Sequence, residues 1–366
     1  MSRPHCVIVA RSGRALAASA SKAGYLVHVI DAFADVDIQA ETVQRCQYDA
    51  TGFNVPQLQA IYSDLQARYP LELVVVGSGL EQQHDLLKQT SSRVTLYSNG
   101  PDTLAHVTDP FRFYAMLERA GLPGIPVYRE WPGNTGPLLC KRIGGMGGEH
   151  IKRADESIPL APGFYYQPYI EGAVYSVVFV ADGRNHAVVG YNSLWLEQHC
   201  DNQPFLLGGA NSIQPAAELQ AGIENCLEVI VPETGLRGLC GMDFVIDRNG
   251  ETRILEINPR PPATFELHEG EQSLFAAHLQ SFAQPVAPYR RCDRHRAYVI
   301  IYATENIAIS TGFDWPAWVK DRPAAGTQFE PCQPVCTIHA ESETTSELLE
   351  LLERRRQALC SQLYRD

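Results

Sequence analysis

The stretch GMDFVIDRNGETRILEINPRP, residues 241–261, confines the chain more tightly than any other part of it. Asn249-Gly250 between two alternating apolar runs predicts a β-hairpin closed by a two-residue type I′ turn. With that turn, Arg248 faces Glu251, Ile246 faces Arg253 and Asp243 faces Glu256, on Cβ atoms about 5 Å apart. Asn258 follows Glu256 by two residues and shares its face, while Phe244, Ile246, Leu255 and Ile257 take alternate positions that cover a core. Opposed carboxylates repel and weaken a sheet. A hard divalent cation turns that liability into a site, because Mg²⁺ takes carboxylate oxygens together with substrate phosphates. Asn258 adds a neutral oxygen, and Arg260 lies just beyond to hold an anion. The competing reading is a solvated hairpin with incidental acids, and a three-residue turn would break the facing register.

Around this hairpin the pattern changes once. In the first hundred residues strand-like runs (His5–Ala10, Tyr25–Asp31, Leu71–Gly77, Val94–Ser98) alternate with helical ones such as Ala15–Ala23, which implies βαβ crossovers and a parallel sheet. Ser12-Gly13 opens that helix and could receive an anion there. It lacks a G-x-G-x-x-G fingerprint, so a tight strand-to-helix turn is the preferred reading. Asp109-Pro110 opens a helix over Phe111–Ala120, closed by Gly121-Leu122-Pro123. Beyond Pro137 the chain becomes strand-rich, with one helix at Glu218–Val231, so an antiparallel α+β unit is expected. A strand at Ala297–Ala303, another at Val335–His339 and a helix at Ser346–Tyr364 complete the chain. In that helix Leu348, Leu352, Leu359 and Leu363 form a packing stripe.

With 366 residues the chain calls for two or three packed units. Its formal charge of −12 argues against a general nucleic-acid binder, which needs a basic surface to displace counterions. No signal peptide is evident, and no run approaches the ~20 apolar residues that span a bilayer. The ten cysteines are scattered and lack zinc-ligand spacing, so reduced, buried thiols and a cytoplasmic location are expected.

An acidic protein that handles an anionic ligand must concentrate positive charge locally. Leu138–Arg142 ends a strand and enters Gly144-Gly145-Met146-Gly147-Gly148. Glycines let backbone N–H groups approach phosphate closely, and Lys141 supplies a point charge beside them. A bare flexible loop is the alternative. Phe164–Ile170 follows as a strand.

These segments together resemble the ATP-grasp superfamily. Asp243, Glu256 and Asn258 match its D…E-x-N metal positions, and Arg260 matches a position that contacts substrate or phosphate. The resemblance gives Lys141 and the glycines 144, 145, 147 and 148 to the phosphates. It gives Gln167, Tyr169 and Ile170 to a hinge whose backbone pairs with adenine. It implies an α/β plus α+β chain: a parallel pre-domain over residues 1–105, a small lobe over 106–172, a metal-bearing lobe over 173–285 and a C-terminal β/α extension over 286–366. Two departures stand out. Thr108–Phe111 carries no early small-lobe lysine, leaving Arg112 as a weak substitute, and Val174 occupies the place of a ribose-binding glutamate.

The segments RSGRALAASASKAGY, CKRIGGMGGEHI and INPRPPATFELHE further resemble predicted ATP-dependent carboligases related to biotin carboxylase, a group associated with one-carbon cofactor pathways. The implied cofactors are ATP and Mg²⁺, with Mn²⁺ as an alternative. The implied reaction is phosphoryl transfer to a carboxylate, then attack of an amine or a thiol on the acyl phosphate, with Lys141 and Arg260 stabilising charge. A bicarbonate-using carboxylase, a small-molecule kinase and a non-catalytic ATP-binding protein are the alternatives. Expected partners are small-molecule carboxylate and amine substrates and, as one option, a second copy of the chain; neither nucleic acid nor membrane is expected. Gly208–Ser212 matches the place of a substrate loop, or is a plain turn. His268 and Glu269 could line the acceptor pocket, with a structural role preferred for the histidine.

Overall fold

Strand β1 (His5–Ala10) is buried along nearly its whole length, as a Val/Ile run in the middle of a parallel sheet must be. The computed structural model of the chain describes residues 3–49, 52–83, 95–133, 136–290 and 294–364. Strands β2 (Leu26–Asp31) and β3 (Thr42–Arg45) lie on one side of β1, and β4 (Leu71–Val76) and β5 (Thr95–Tyr97) on the other, all parallel. The expected pre-domain sheet is therefore present; Val94, the first residue of its fourth expected strand, lies outside the described residues. Helix α1 (Arg14–Lys22) follows β1, and helix α2 (Val55–Arg68), unmarked in the sequence reading, precedes β4. The order β3-β2-β1-β4-β5 reverses between β1 and β4. Sheets of this kind present a crevice at the carboxyl ends of the strands flanking such a reversal.

Helices α3 (Pro101–Thr108) and α4 (Pro110–Arg119) lead out of this unit. Asp109 caps α4 by accepting from the Phe111 N–H at 2.9 Å, so the Asp-Pro pair starts a helix as expected. A small antiparallel sheet follows, order β8-β6-β7, from β6 (Leu138–Arg142), β7 (Lys152–Arg153) and β8 (Phe164–Pro168).

The rest of the chain builds one eight-stranded antiparallel sheet. It contains β9 (Gly172–Asp182), β10 (His186–Leu196), β11 (Leu207–Ile213), β12 (Arg237–Asp247), β13 (Thr252–Asn258), β14 (His295–Tyr302), β15 (Val319–Lys320) and β16 (Pro334–Ser342), in the order β13-β12-β9-β10-β11-β14-β16-β15. The C-terminal strands thus extend the same sheet that carries the hairpin. Helix α5 (Ala217–Thr234) buries Ile223, Leu227, Ile230 and Val231 against one face and ends on Gly235 in the left-handed region, φ 69°. Full burial of four such side chains contributes roughly 1.5–3 kcal/mol each. Helix α6 (Leu274–Gln280) packs against α1 and β12. Helix α7 (Thr345–Leu363) buries Leu348, Leu352 and Leu359, so the terminal leucine stripe is a packing face. Among the described residues no helix is long and apolar enough to cross a membrane.

Two features differ from the sequence expectations. Cys200 and Cys332 form a disulfide across 132 residues, whereas the other described cysteines are free thiols as expected. Gly208–Ser212 is strand rather than loop. It lies in β11, with Gly209 paired to Val299 and Trp195, where a Cβ would come within 2.4 Å of the Tyr298 carbonyl oxygen. Its small residues serve close strand packing, not a turn.

The parallel-sheet unit and the segments of the large sheet meet on a buried ion. Arg14, at the start of α1, is only 7% exposed and donates to Glu266 at 2.7 Å and to Asp321 at 2.8 Å. Although burial works against it, the Arg14 guanidinium holds the Asp321 carboxyl below the usual carboxylate range. Replacing one member of a buried pair strands the others without counter-charge. Arg14→Leu should therefore cost about 3 kcal/mol in urea unfolding; a loss below about 1 kcal/mol would show that the joint between the two sheets does not depend on this ion.

Candidate active site

The hairpin closes differently from the sequence expectation yet reaches the expected pairing. Asp247 accepts from the Asn249 N–H at 2.8 Å and the Glu251 N–H at 3.0 Å, and its own carbonyl accepts from Gly250. That carboxylate draws the chain into a three-residue turn, Arg248–Gly250, with Gly250 at φ 81°. The longer turn shifts the register, pairing Ile246 with Thr252, Val245 with Arg253 and Phe244 with Ile254. A bulge at Leu255 then absorbs one residue and restores Asp243 opposite Glu256, with Gly241 opposite Asn258. The bulge also buries Ile254, 1% exposed, where the two-residue turn would have buried Leu255.

Asp243 and Asn258 share a face, and the Asn258 Nδ2 donates to Asp243 Oδ2 at 3.3 Å. Burial first, and then the Glu256 carboxylate, push the Asp243 carboxyl up to about 8, against the pull of Arg260. Lys141 comes to the same place from the small sheet. It is 5% exposed, sits opposite Tyr165 in the β6–β8 register and donates to Gln167 Oε1 at 3.1 Å. Burial draws its ammonium below the ordinary value, while Glu256 and Asp243 oppose that shift. The structure thus brings Lys141, Gln167, Asp243, Glu256 and Asn258 together from two sheets.

Among the described residues no group of three or more His, Cys, Asp or Glu side chains forms a metal cluster. Two carboxylates and an amide make an incomplete cage. They suit Mg²⁺, which keeps waters and takes phosphate oxygens, and do not suit an ion that needs a closed protein shell.

The glycine-rich turn is folded down onto its surroundings. Gly148, at φ 81°, lies so close to the β10–β11 connection that a Cβ would sit 1.8 Å from the Phe205 carbonyl oxygen. The Leu207 N–H donates to the Gly147 carbonyl at 3.0 Å. On its other side the turn reaches the pre-domain, where Arg11 donates to Glu149 at 2.9 Å and Gln82 packs on Gly144. Gly145 packs against the His150 ring.

Arg260 donates through Nε to Glu81 Oε1 at 2.7 Å, and its Nη2 lies 3.8 Å from Met146 Sδ. Glu81 in turn accepts from the Gly79 N–H at 2.7 Å. The sequence reading missed Glu81. Its signal was the Gly77-Ser78-Gly79 break directly after a buried strand, at the place where the parallel sheet reverses order. In the hinge the Tyr169 N–H is engaged by the Pro137 carbonyl at 2.9 Å.

Other sequence candidates fall elsewhere. The Gly13 N–H donates to Asp31 Oδ2 at 2.6 Å, so an internal carboxylate fills the place of an external anion. Arg112 is mostly exposed and lies 3.8 Å from Asp109, away from the site. His268 is buried and bonds Asn192 Oδ1 at 2.9 Å, and Asn192 donates to Ser176. Glu269 accepts from Ser19 at 3.0 Å, against α1. It lines a cavity of about 490 Å³ with Lys22, Arg296 and Arg355, and none of the carboxylate-pair residues faces that space.

Residues 107–264 match the ATP-grasp domain family. No curated protein matches the sequence significantly. Among solved structures, biotin carboxylase from Campylobacter jejuni is similar with a TM-score of 0.76 at 14% identity, covering 95% of this chain and 90% of that one. L-amino acid ligase from Bacillus licheniformis gives 0.72 at 13% identity, covering 98% of both chains. The biotin carboxylase domain of the Hydrogenobacter thermophilus 2-oxoglutarate carboxylase, in complex with MgADP, ADP and bicarbonate, gives 0.72 at 13% identity, covering 98% and 89%. At these identities the likeness is one of fold.

A prediction follows from the raised Asp243 carboxyl. A folded-state value above the unfolded one contributes stability that is complete below about pH 4 and is lost as pH rises toward about 8. In metal-free buffer at pH 8, Asp243→Asn should therefore be more stable than the parent by about 1 kcal/mol. It should also gain less from added Mg²⁺ in thermal unfolding. A variant no more stable than the parent, with an unchanged Mg²⁺ response, would show that burying the ionised Asp243 beside Glu256 costs the fold nothing.

Proposed function

We propose that this chain, which carries an ATP-grasp domain at residues 107–264, is an ADP-forming ligase that activates a carboxylate with ATP and joins it to an amine. One observation carries the reading: Lys141 converges with Asp243 and Glu256 in one buried place, beside a glycine-rich turn. A cation and a pair of acids with no mutual salt bridge between them suit a ligand that is both anionic and metal-bound, as a nucleotide triphosphate is.

Asp243, Glu256 and Asn258 would hold Mg²⁺, which supplies neutralisation of phosphate charge when bound. Lys141 donates to phosphate oxygens, and its bond to Gln167 keeps the ammonium pointed across the site. The glycine turn offers backbone N–H groups and excludes water from the transferring group. Arg260, held through Nε by Glu81, presents its remaining guanidinium nitrogens to the carboxylate or to the transferred phosphate. The carboxylate attacks the γ-phosphorus, ADP leaves, and the amine then displaces phosphate from the acyl carbon. Electrostatic stabilisation and positioning carry this chemistry, with no covalent enzyme nucleophile. The fold likeness to an L-amino acid ligase and to a carboxylase domain complexed with MgADP supports the ligase class and the nucleotide. The sequence resemblance to carboligases of one-carbon pathways supports a place in the biosynthesis of a one-carbon-carrying cofactor of the methanofuran, methylofuran or tetrahydromethanopterin type, and fixes no substrate.

ADP release should require an acid and an amine together, in a screen that begins with glutamate and aromatic amines and includes bicarbonate as a separate acid. Glu256→Gln should lower turnover about a hundredfold or more with unchanged circular dichroism. Release of AMP and pyrophosphate, or full activity in that variant, would reject the scheme.

A further inference from the structure

The segment 197–206, which joins β10 to β11, folds back on itself. The Glu197 N–H donates to Leu206 at 2.7 Å, Gln203 N–H to Cys200 at 2.8 Å and Leu206 N–H to Gln203 at 3.0 Å. This segment is the floor of the glycine-rich turn. It supplies the Phe205 carbonyl against Gly148 and leads directly into the Leu207 N–H that bonds Gly147. The Phe205 ring lies 6.0 Å from that of Tyr169 in the hinge, with Arg153 over both. At its centre sits Cys200, 3% exposed and bonded to Cys332.

Cys332 belongs to the turn that enters β16. Its N–H donates to the Ala303 carbonyl at 2.7 Å, and the Ala303 N–H donates to Gln333 at 2.9 Å, so this turn is tied to the end of β14. The Tyr302 hydroxyl donates to the Leu207 carbonyl at 2.8 Å, bracing the same junction. One covalent bond therefore fastens the floor of the turn to the C-terminal strands. Cys332 is half-buried while Cys200 is enclosed, which sets the direction from which an external sulfur can approach. Cys336, the nearest other cysteine in sequence, is 3% exposed and packs in the C-terminal core, where it cannot compete.

We propose that Cys200 and Cys332 are a reversible thiol–disulfide modification site that sets the mobility of the floor under the glycine-rich turn. In the oxidising direction a low-molecular-weight disulfide is attacked by the Cys332 thiolate. One small thiol leaves, and a mixed disulfide forms at Cys332. The Cys200 thiolate then displaces the second small thiol, closing the Sγ–Sγ bond. Two protein thiols lose two electrons and two protons, and one external disulfide becomes two thiols. A dithiol reductant reverses both steps. In the reduced protein the floor keeps its short hydrogen bonds but loses its anchor, so its openings, and those of the Leu207–Gly147 bond, become more frequent. Tighter nucleotide binding by the bonded form is the functional consequence, and this consequence rests on the ATP reading above.

The full chain should be held in glutathione disulfide or in dithiothreitol, with the state of each cysteine fixed by alkylation and peptide mass mapping. Amide hydrogen exchange in peptides covering 203–209 and 143–149 is then compared without any nucleotide. Exchange should be about tenfold slower in the bonded protein, and Cys332→Ser should exchange at the reduced rate in both buffers. Equal rates in the two states, or no linked 200–332 peptide under glutathione disulfide, would overturn the proposal. A parallel titration with a non-hydrolysable ATP analogue and Mg²⁺ should give tighter binding to the bonded form. Loss of binding in both forms would count against the ATP reading alone, because the exchange rates decide the switch.

Discussion

Two carboxylates held opposite each other on a β-ribbon govern the rest of this molecule. Left to themselves, Asp243 and Glu256 weaken the sheet that carries them, and burial makes the repulsion harder to screen. The surrounding chain keeps them together. Apolar side chains on the opposite face, Phe244 and Met242 among them, are fully buried and fix the strand orientation. Lys141 arrives from a separate sheet and Arg260 from the chain just beyond the ribbon, each turned by one polar partner, Gln167 and Glu81. Stability is given up at the ribbon and recovered in the packing on either side, as expected where a site is built for charge.

The pre-domain and the C-terminal strands contribute by enclosing that arrangement. The order reversal between β1 and β4 sets Arg11 and Glu81 at the edge of one crevice, and both reach across to the far side, Arg11 to Glu149 and Glu81 to Arg260. Arg14 binds Glu266 and Asp321 on the opposite flank. The glycine-rich turn thus rests between two walls that are themselves cross-tied, and its position follows from the packing of three parts of the chain.

Much of this was legible in the residues, though not always for the stated reason. Asn249-Gly250 marked a hairpin, but Asp247 captured the turn N–H groups and lengthened it by one residue. The bulge at Leu255 cancelled that shift, so Asp243 still meets Glu256. The bulge has no one-dimensional signature, because it depends on which of Ile254 and Leu255 the core accommodates. The alternation of strand-like and helical runs marked the parallel sheet, and local glycine and proline punctuation marked the Asp109-Pro110 helix and the glycine-rich turn. Gly208–Ser212 misled for the same reason, since small residues that allow a turn also allow close strand packing. Gln82 and the Cys200–Cys332 bond had no local signal, and the glycine break before Glu81 did not show its partner, because each contact joins segments far apart in sequence and only the folded topology brings them together.

In the proposed function the acid pair and Lys141 converge on one metal-bound triphosphate. A crystal structure of the chain with Mn²⁺ and a non-hydrolysable ATP analogue, with anomalous scattering to locate the ion, tests it most directly. An anomalous peak is expected between Asp243 and Glu256, touching phosphate oxygens, with Lys141 Nζ on the same phosphates. Nucleotide bound with the two carboxylates turned apart and no peak between them would contradict it.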